Sequence, residues 1–558
     1  MLLKCLTLLF DWRLREWEEL ANLLPPSQNG FMAGRRTNNN TFIVRCLAER
    51  TMAEGKQLYV VSVDLSNAFP SVNRATLWVK LHHLGVRGPL VDLFKHVYED
   101  MRYLVKGEEN IFRFSSTLGV LIGDPVSPML WNLFFTDFSI PVRPDDAVLC
   151  GRPLSHLEHA DDILIFSTTR AGLQAHLCFL ERWAALNRVQ IDPDKTWAAV
   201  CGRERRSSPI ERMVRVAGAW VAESTRAVYV GMNLDTSDRR LFSYHCQVQT
   251  EKAHRVSSIA FSVDKVTGTA PVEKARLVYL THVVPFLIAG ADICPDTVME
   301  RLKPLEGVQV RHLPRILRLG SRSARKPLFS ELGLWPLRSR RLDIALRYAE
   351  YLLQRPRDSF VSLAMQDPAL LAGSTTMPCW WSDLRTAVRL SSEGGHAQLQ
   401  QEEESIGQVR LALRRGVAKI IHGWVRSTTK MQLLKYDDGM RSGRGRQAMA
   451  LREYLCIPGT AARTSLTRFL VGENCLAMER MRWSDHNHPA VPPELRLCRF
   501  CASAVEDEVH AAFRCTARQE IVQVCDEFYR WLGKCGWESR IREWVDGGEE
   551  VRAVQWLI

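Results

Sequence analysis

Leu157-Glu158-His159-Ala160-Asp161-Asp162-Ile163-Leu164-Ile165-Phe166 is the stretch on which the fold turns. The Ile163–Phe166 run is apolar on both faces, as a central strand should be. The stretch therefore predicts two short strands with the aspartate pair at their turn. Alone, such a pair usually marks a solvated turn. It gains meaning from a second strand upstream: Leu58-Tyr59-Val60-Val61-Ser62-Val63 reads as buried and ends on Asp64. If these strands are neighbours in one sheet, Asp64, Asp161 and Asp162 converge at one edge. Three carboxylates held together repel one another and shift their own pKa values. Divalent metal is the natural remedy, and hard carboxylate oxygens suit Mg²⁺, which usually shares its shell with substrate phosphates. Two ions about 3.5–4 Å apart stabilise both the attacking and leaving oxygens of an in-line phosphoryl transfer.

Outward from this pair the chain is punctuated like a mixed α/β region. An amphipathic helix opens it, followed by the turn-rich Pro25-Pro26-Ser27-Gln28-Asn29-Gly30. Leu77, Leu81 and Leu84 share one helical face and Gly85 suits the C-terminal cap. A further helix is predicted from Pro128 through Phe135, and another by Leu173, Leu177, Leu180 and Ala184. Beyond about residue 240 strand signals fade. The Arg-rich Arg301–Lys326 stretch and the stripe Leu342, Leu346, Ala349, Leu353 predict an all-helical part. Gly439–Arg446 alternates glycine with arginine and reads as a basic linker.

The 558 residues carry 74 Lys and Arg against 62 Asp and Glu, a formal +12. That excess favours an anionic partner, nucleic acid before a membrane surface. Fifteen cysteines, mostly single, form no secreted-type disulfide framework and point to an intracellular chain. The opening MLLKCLTLLFDWRLREWEEL is broken by Lys4 and followed by Asp11, Arg13 and Arg15, so it reads as an amphipathic helix rather than a signal peptide. No segment reaches the roughly 20 continuous apolar residues of a membrane span.

Several short motifs, in order, carry a resemblance. Val63-Asp64-Leu65-Ser66-Asn67-Ala68-Phe69 resembles the first catalytic motif of reverse transcriptases, and Ala160-Asp161-Asp162 their A-D-D box. Between them, Gly119-Val120-Leu121-Ile122-Gly123-Asp124-Pro125-Val126-Ser127-Pro128 is similar to G-x-x-Q-G-x-P-x-S-P. Upstream, Gln28-Asn29-Gly30-Phe31 with Gly34-Arg35 resembles a motif of LINE-type (non-LTR) retrotransposon enzymes. Downstream, Lys195-Thr196 matches their K-T element and Tyr229-Val230-Gly231 their Y-L-G turn behind the primer. The resemblance implies an α+β right-hand polymerase. Fingers and palm, with an antiparallel palm sheet, would fill 1–240. A helical thumb would follow at 241–355 and a helical connector with its basic linker at 356–480.

It also implies roles. Asp64 and Asp161 would ligate both Mg²⁺ ions, Asp162 would complete the cluster, and the main chain of Leu65 would add an oxygen. Phe69 would be the aromatic gate that clashes with a 2′-OH, favouring dNTPs. Gly123, Pro125 and Ser127 would shape the floor beneath template and incoming base, and Lys195 would lie near the triphosphate. Arg35 and Arg36 would meet phosphate, and Tyr229 and Gly231 the primer. Ile122 in place of the usual Gln, Pro70 in place of a frequent Asp, and His159 before the A-D-D box depart from the pattern without removing a metal ligand.

Near the C-terminus, Cys498, Cys501, His510 and Cys515 spell C-x2-C-x8-H-x4-C, the spacing of a closed, structural Zn²⁺ site. His486 and His488 are alternative ligands. This zinc-knuckle region, 481–530, would precede a tail at 531–558. It resembles the zinc segment after the polymerase of LINE-type proteins, with Arg496, Arg499 and Arg514 as phosphate contacts. The implied partners are an RNA template, a DNA primer or target and dNTPs, in a ribonucleoprotein of cytoplasm and nucleus. No nuclease motif set is found, so the endonuclease is expected from elsewhere and the chain from a longer or truncated element protein. The competing expectations are an inactive relic that only binds nucleic acid, and another palm polymerase such as a telomerase or maturase.

Overall fold

The computed structural model describes residues 2–534 except 100, 108–109, 203–208, 269, 321–322, 368–378, 392–398, 429, 435–449 and 485–488, together with 539, 543 and 547. The proposed linker Gly439–Arg446, the alternative ligands His486 and His488, and most of the tail lie outside the described residues.

The strands in chain order are β1 (Leu58–Leu65), β2 (Arg102–Lys106), β3 (Ile111–Ser115), β4 (Ala147–Leu149), β5 (Arg152–Leu154), β6 (His156–His159), β7 (Asp162–Ser167) and β8 (Ile191–Cys201). Four short ones follow: β9 (Val214–Val216), β10 (Ala219–Val221), β11 (Arg226–Tyr229) and β12 (Met232–Asp235). After Asp235 every described element is helical. The central sheet has the order β6-β7-β1-β8 and is antiparallel throughout.

Both faces of the two central strands, β1 and β7, are packed, which is why Val60–Val63 and Ile163–Phe166 read as mainly apolar runs. Val61, Val63, Ile163 and Ile165 face a core built with the helices Leu2–Ala21, Arg74–His83, Pro89–Glu99, Ser127–Phe135 and Arg170–Asn187. Val60, Leu164 and Phe166 face a second core, with the helix Asn38–Ala53 and, distant in sequence, helices from Leu337 to Val409. A third core joins Ala253–Leu337 to Val417–Val471.

Core packing runs across the expected boundaries. Leu241, Leu346 and Trp380 share one core with Phe42, so no core boundary falls at 240 or 355. The stretch expected as a single connector, 356–480, divides between two cores. Helical periodicity reports that a face is buried, not which partner buries it.

Candidate active site and cysteine-histidine cluster

The register Val63↔Ile163, continued one step, sets Asp64 opposite Asp162. β6 and β7 close at His159↔Asp162, leaving Ala160 and Asp161 as a two-residue turn. Ala160 sits at φ 61°, the left-handed region that costs a non-glycine residue about 1–2 kcal/mol. The three aspartates therefore meet at one sheet edge. Their mutual field is visible in their acidity. Asp162 is pushed up to about 6, first by partial desolvation and then by the charges of Asp161 and Asp64. Asp161 is raised by burial and further by Asp64.

Lys195 arrives by a bulge. β8 pairs Ser62 with Trp197 but Asp64 with Asp192, so extra residues loop out between them. The Lys195 Nζ sits 3.7 Å from an Asp64 oxygen and 3.3 Å from Asp192. Its pKa is raised by its hydrogen bond to Asp192 and by the charge of Asp64. Thr196 completes the loop: its hydroxyl accepts from the Asp64 N–H at 3.3 Å and donates to the Asp192 carbonyl at 2.7 Å. Asp192 has no place in the sequence motifs, and Thr196 enters them only as the second residue of Lys195-Thr196. The signal was present in Asp192-Pro193-Asp194-Lys195-Thr196, polar residues interrupting a strand.

The Ala160–Asp161 turn is held from behind by the stretch around Gln28, which is 1% exposed. Gln28 Oε1 accepts from the Ala160 N–H at 2.9 Å and from the Gly30 N–H at 2.7 Å, while its amide donates to Glu158 at 3.2 Å. The Asn29 N–H donates to the Glu158 carbonyl at 2.9 Å, and the Glu158 N–H to that of Ser27 at 3.0 Å. A Cβ on Gly30 would stand 2.2 Å from the Ala160 nitrogen, so only glycine admits this approach. The motif that the sequence offers as a family mark is physically a brace for the aspartates.

Other expected residues take different places. Phe69 is half-buried, stacked on Trp131 with ring centroids 5.7 Å apart and edge-on to Phe31 at 6.4 Å. Leu65 is buried and its side chain belongs to the core. Gly123 is exposed at φ 78° with open space around it, and Pro125 is partly exposed, beside an Ile122 that is 76% exposed.

Four residues expected at nucleic acid have partners inside the protein. Ser127 is 1% exposed, so its side chain does not line a template surface. Tyr229 is buried as well, and Asn40 donates to its hydroxyl at 2.9 Å; only the hairpin tip with Gly231, at φ 79°, is open. Arg35 donates to the main-chain carbonyls of Pro26 and Gln28, stapling the brace. Arg36 lies over the Tyr351 ring at 4.1 Å.

At the C-terminal end, one ligating atom from each of Cys498, Cys501, His510 and Cys515 lies within 4.8 Å of the others. The Cys498 and Cys515 sulfurs are 3.8 Å apart, and the Cys501 sulfur is 3.3 Å from His510 Nε2. A Zn–S bond of about 2.3 Å puts the sulfurs of a tetrahedron about 3.8 Å apart, so the donor set fits that ion. The Phe500 N–H points at the Cys498 sulfur at 3.5 Å. Arg496 and Arg499, expected as phosphate contacts, are internal ties. Arg496 donates to the carbonyls of Val491 and Met478, and Arg499 pairs with Glu506 at 2.7 Å.

Comparisons agree with the first part of the chain. Residues 1–234 match the family described as reverse transcriptase (RNA-dependent DNA polymerase). Over 172 residues, 30% of this chain, the sequence is 26% identical to the Retrovirus-related Pol polyprotein from type-2 retrotransposable element R2DM of Drosophila melanogaster, covering 16% of that protein. Over 175 residues, 31% of the chain, it is 25% identical to the Retrovirus-related Pol polyprotein from type-1 retrotransposable element R2 of Nasonia vitripennis, covering 17%. The matched region thus spans about a sixth of either relative. A solved structure of telomerase from Candida albicans aligns with TM-score 0.36 and 9% identity over 74% of this chain and 58% of its own. No described helix is long and apolar enough to cross a membrane.

Proposed function

We propose that this chain, whose residues 1–234 form a reverse transcriptase domain of the non-LTR retrotransposon kind, is an RNA-directed DNA polymerase. It extends a DNA 3′ end along an RNA template using dNTPs, with release of pyrophosphate. The observation that carries this reading is the meeting of Asp64, Asp161 and Asp162 at one sheet edge.

Asp64 and Asp161 would hold two Mg²⁺ ions, with Asp162 completing the set and the Leu65 carbonyl adding an oxygen. Bound there, the pair supplies charge neutralisation at the attacking and leaving oxygens. The donor set suits this use, since the cluster gathers negative charge with Lys195 as its neighbouring cation. Lys195, 3.7 Å from Asp64, would offset charge on the triphosphate. Phe69, backed by Trp131, presents a rigid ring to the sugar. Gly123 and Pro125 form the open floor, and the tip at Gly231 approaches the primer. The Cys498–Cys515 cluster would hold one structural Zn²⁺ that fixes a small nucleic-acid-binding unit. We further propose that the protein works in a ribonucleoprotein, in cytoplasm and nucleus, with the endonuclease supplied outside this segment.

Primer extension on poly(rA)/oligo(dT) with Mg²⁺ tests the reading. dNTP incorporation is expected, with loss of at least 10³-fold in Asp161→Ala. Well-folded protein that incorporates nothing sinks the polymerase and leaves a nucleic-acid-binding relic. Incorporation that survives Asp161→Ala rejects the site.

A further inference from the structure

The hairpin β2–β3 projects from the domain with nine of its ten strand residues exposed. It is not polar. Leu104, Val105, Ile111, Phe112 and Phe114 are each more than half exposed. The register sorts its side chains by chemistry. Tyr103 opposes Phe114 and Val105 opposes Phe112 on one face; Arg102, Arg113 and Lys106 lie on the other, with Leu104 opposite Arg113 and Ile111 opposite Lys106. Diagonal neighbours on such a face are about 7–8 Å apart, so the three cations step along it in a zigzag. Among the described residues none of the three has a carboxylate within ion-pair distance. The connecting turn carries Glu108 and Glu109, which lie outside the described residues.

The root of the hairpin is rigid. Arg74, buried, donates to the carbonyls of Tyr98 at 2.9 Å, Ser116 at 2.5 Å, Leu118 at 2.9 Å and Gly119 at 2.8 Å. The Val120 N–H then donates to the Phe69 carbonyl at 2.9 Å. Five residues at about 3.4 Å each carry the arm about 17 Å out from that point. An apolar arm this exposed needs a partner in its working state. Its charge is one-signed on one face. Its rings, Tyr103 stacked on Phe114 at 5.2 Å and Phe112 open beside them, are flat surfaces that any unpaired base can cover.

We propose that β2–β3 is a docking arm for single-stranded nucleic acid, its cations holding phosphates and its rings stacking bases. Binding by the arm stands on these observations alone; its service to polymerisation rests on the function proposed above.

The test is fluorescence anisotropy of a labelled single-stranded RNA against the full chain over a salt series, with a blunt DNA duplex in parallel. The combined variant Arg102→Gln, Lys106→Gln, Arg113→Gln is expected to bind the single strand more weakly. Its slope of log K against log[salt] should be shallower by about 2, three contacts at about 0.7 each. Phe112→Ala is expected to lose about fivefold or more on the single strand, with the slope and the duplex affinity unchanged. Wild-type affinity and slope in the charge variant overturn the arm. So does a wild-type oligomer that Phe112→Ala converts to monomer with RNA binding intact, which would make a second copy the partner. dNTP incorporation by the same wild-type protein keeps the failures apart. Incorporation without a hairpin effect sinks the arm alone, and a hairpin effect without incorporation sinks the polymerase alone.

Discussion

Gln28 Oε1 accepts the backbone N–H of Ala160 at 2.9 Å, one residue before Asp161. The same oxygen takes the Gly30 N–H, so one side-chain amide fixes both strands of the contact. Gln28→Leu leaves two buried N–H groups unpaired, each costing about 1–3 kcal/mol. Loss of stability is expected together with a fall in kcat for dNTP incorporation, while primer-template affinity changes little. Gln28→Glu keeps the acceptor but sets a second carboxylate against Glu158, so its stability deficit should shrink as pH falls and one carboxyl takes a proton. Full kcat in Gln28→Leu would show that the brace does not position the aspartates.

Gly30→Ala isolates the closeness of that contact. The new Cβ meets backbone atoms, at 2.2 Å from the Ala160 nitrogen and 2.8 Å from the His159 carbonyl carbon, and neither can turn aside. We expect destabilisation of about 3 kcal/mol or more, among the largest for a single methyl group. Denaturant unfolding reads it directly, and a change below about 1 kcal/mol would contradict the packing.

Much of this site was legible because its chemistry and its local structure coincide. Asp161-Asp162 ahead of the apolar run Ile163–Phe166 specified a hairpin, and Val60–Val63 specified the buried strand carrying Asp64. What sequence could not tell was which face of a motif residue meets water. Tyr229 and Ser127 stand in motifs placed near nucleic acid, yet both side chains are buried. Arg35, Arg496 and Arg499 read as phosphate contacts because arginine usually is exposed; each instead spends its donors on carbonyls or Glu506. Long-range partnering was equally invisible: nothing in Leu342–Leu353 reveals that this helix covers the far face of the sheet.

Two histidines beyond residue 240 predict acid sensitivity. His312 is buried between Phe261, at 4.4 Å, and Tyr279, at 4.7 Å, and is pushed down to about 4 by burial first and Arg315 second. His245 is likewise lowered to about 4 by burial, then by Arg341 and Lys252. A histidine whose folded pKa is depressed stays neutral while the unfolded chain takes up a proton from its ordinary value of 6.5 downward. Stability is therefore full above about 6.5 and is lost as pH falls toward 4, by a few kcal/mol in all. His312→Gln should flatten that decline in urea-midpoint measurements between pH 7 and 4. An unchanged slope would assign the sensitivity elsewhere.

Metal analysis separates the two metal sites. Protein purified without chelator should carry about one Zn²⁺ per chain, and Cys498→Ser should lose it, since three donors no longer close the tetrahedron. Glu506 ties the cluster to the helix Ala477–Arg480, accepting the Ala477 N–H at 2.7 Å, so thermal stability of this C-terminal unit should drop as well. Primer extension should persist, because the aspartates lie in a different core. Zinc content unchanged in the variant would move the site to other ligands.

Phe69 offers the sharpest test of substrate choice. Its ring is wedged between Trp131 and Phe31, and its carbonyl is tied to the Val120 N–H, so neither ring nor backbone is free to withdraw. On the proposed function, a ring so fixed would exclude a 2′-OH by contact, because it is backed by the Trp131 stack. Phe69→Ala removes the obstacle while Trp131 remains, and rNTP incorporation should rise relative to dNTP by about 10- to 100-fold, a difference of about 1–3 kcal/mol at the transition state. Phe69→Tyr keeps the ring and should keep the discrimination. The comparison is made as kcat/KM for dTTP and UTP on one primer-template, so that weaker folding cancels between substrates. If Phe69→Ala loses activity equally for both nucleotides, the ring supports the core and another residue chooses the sugar.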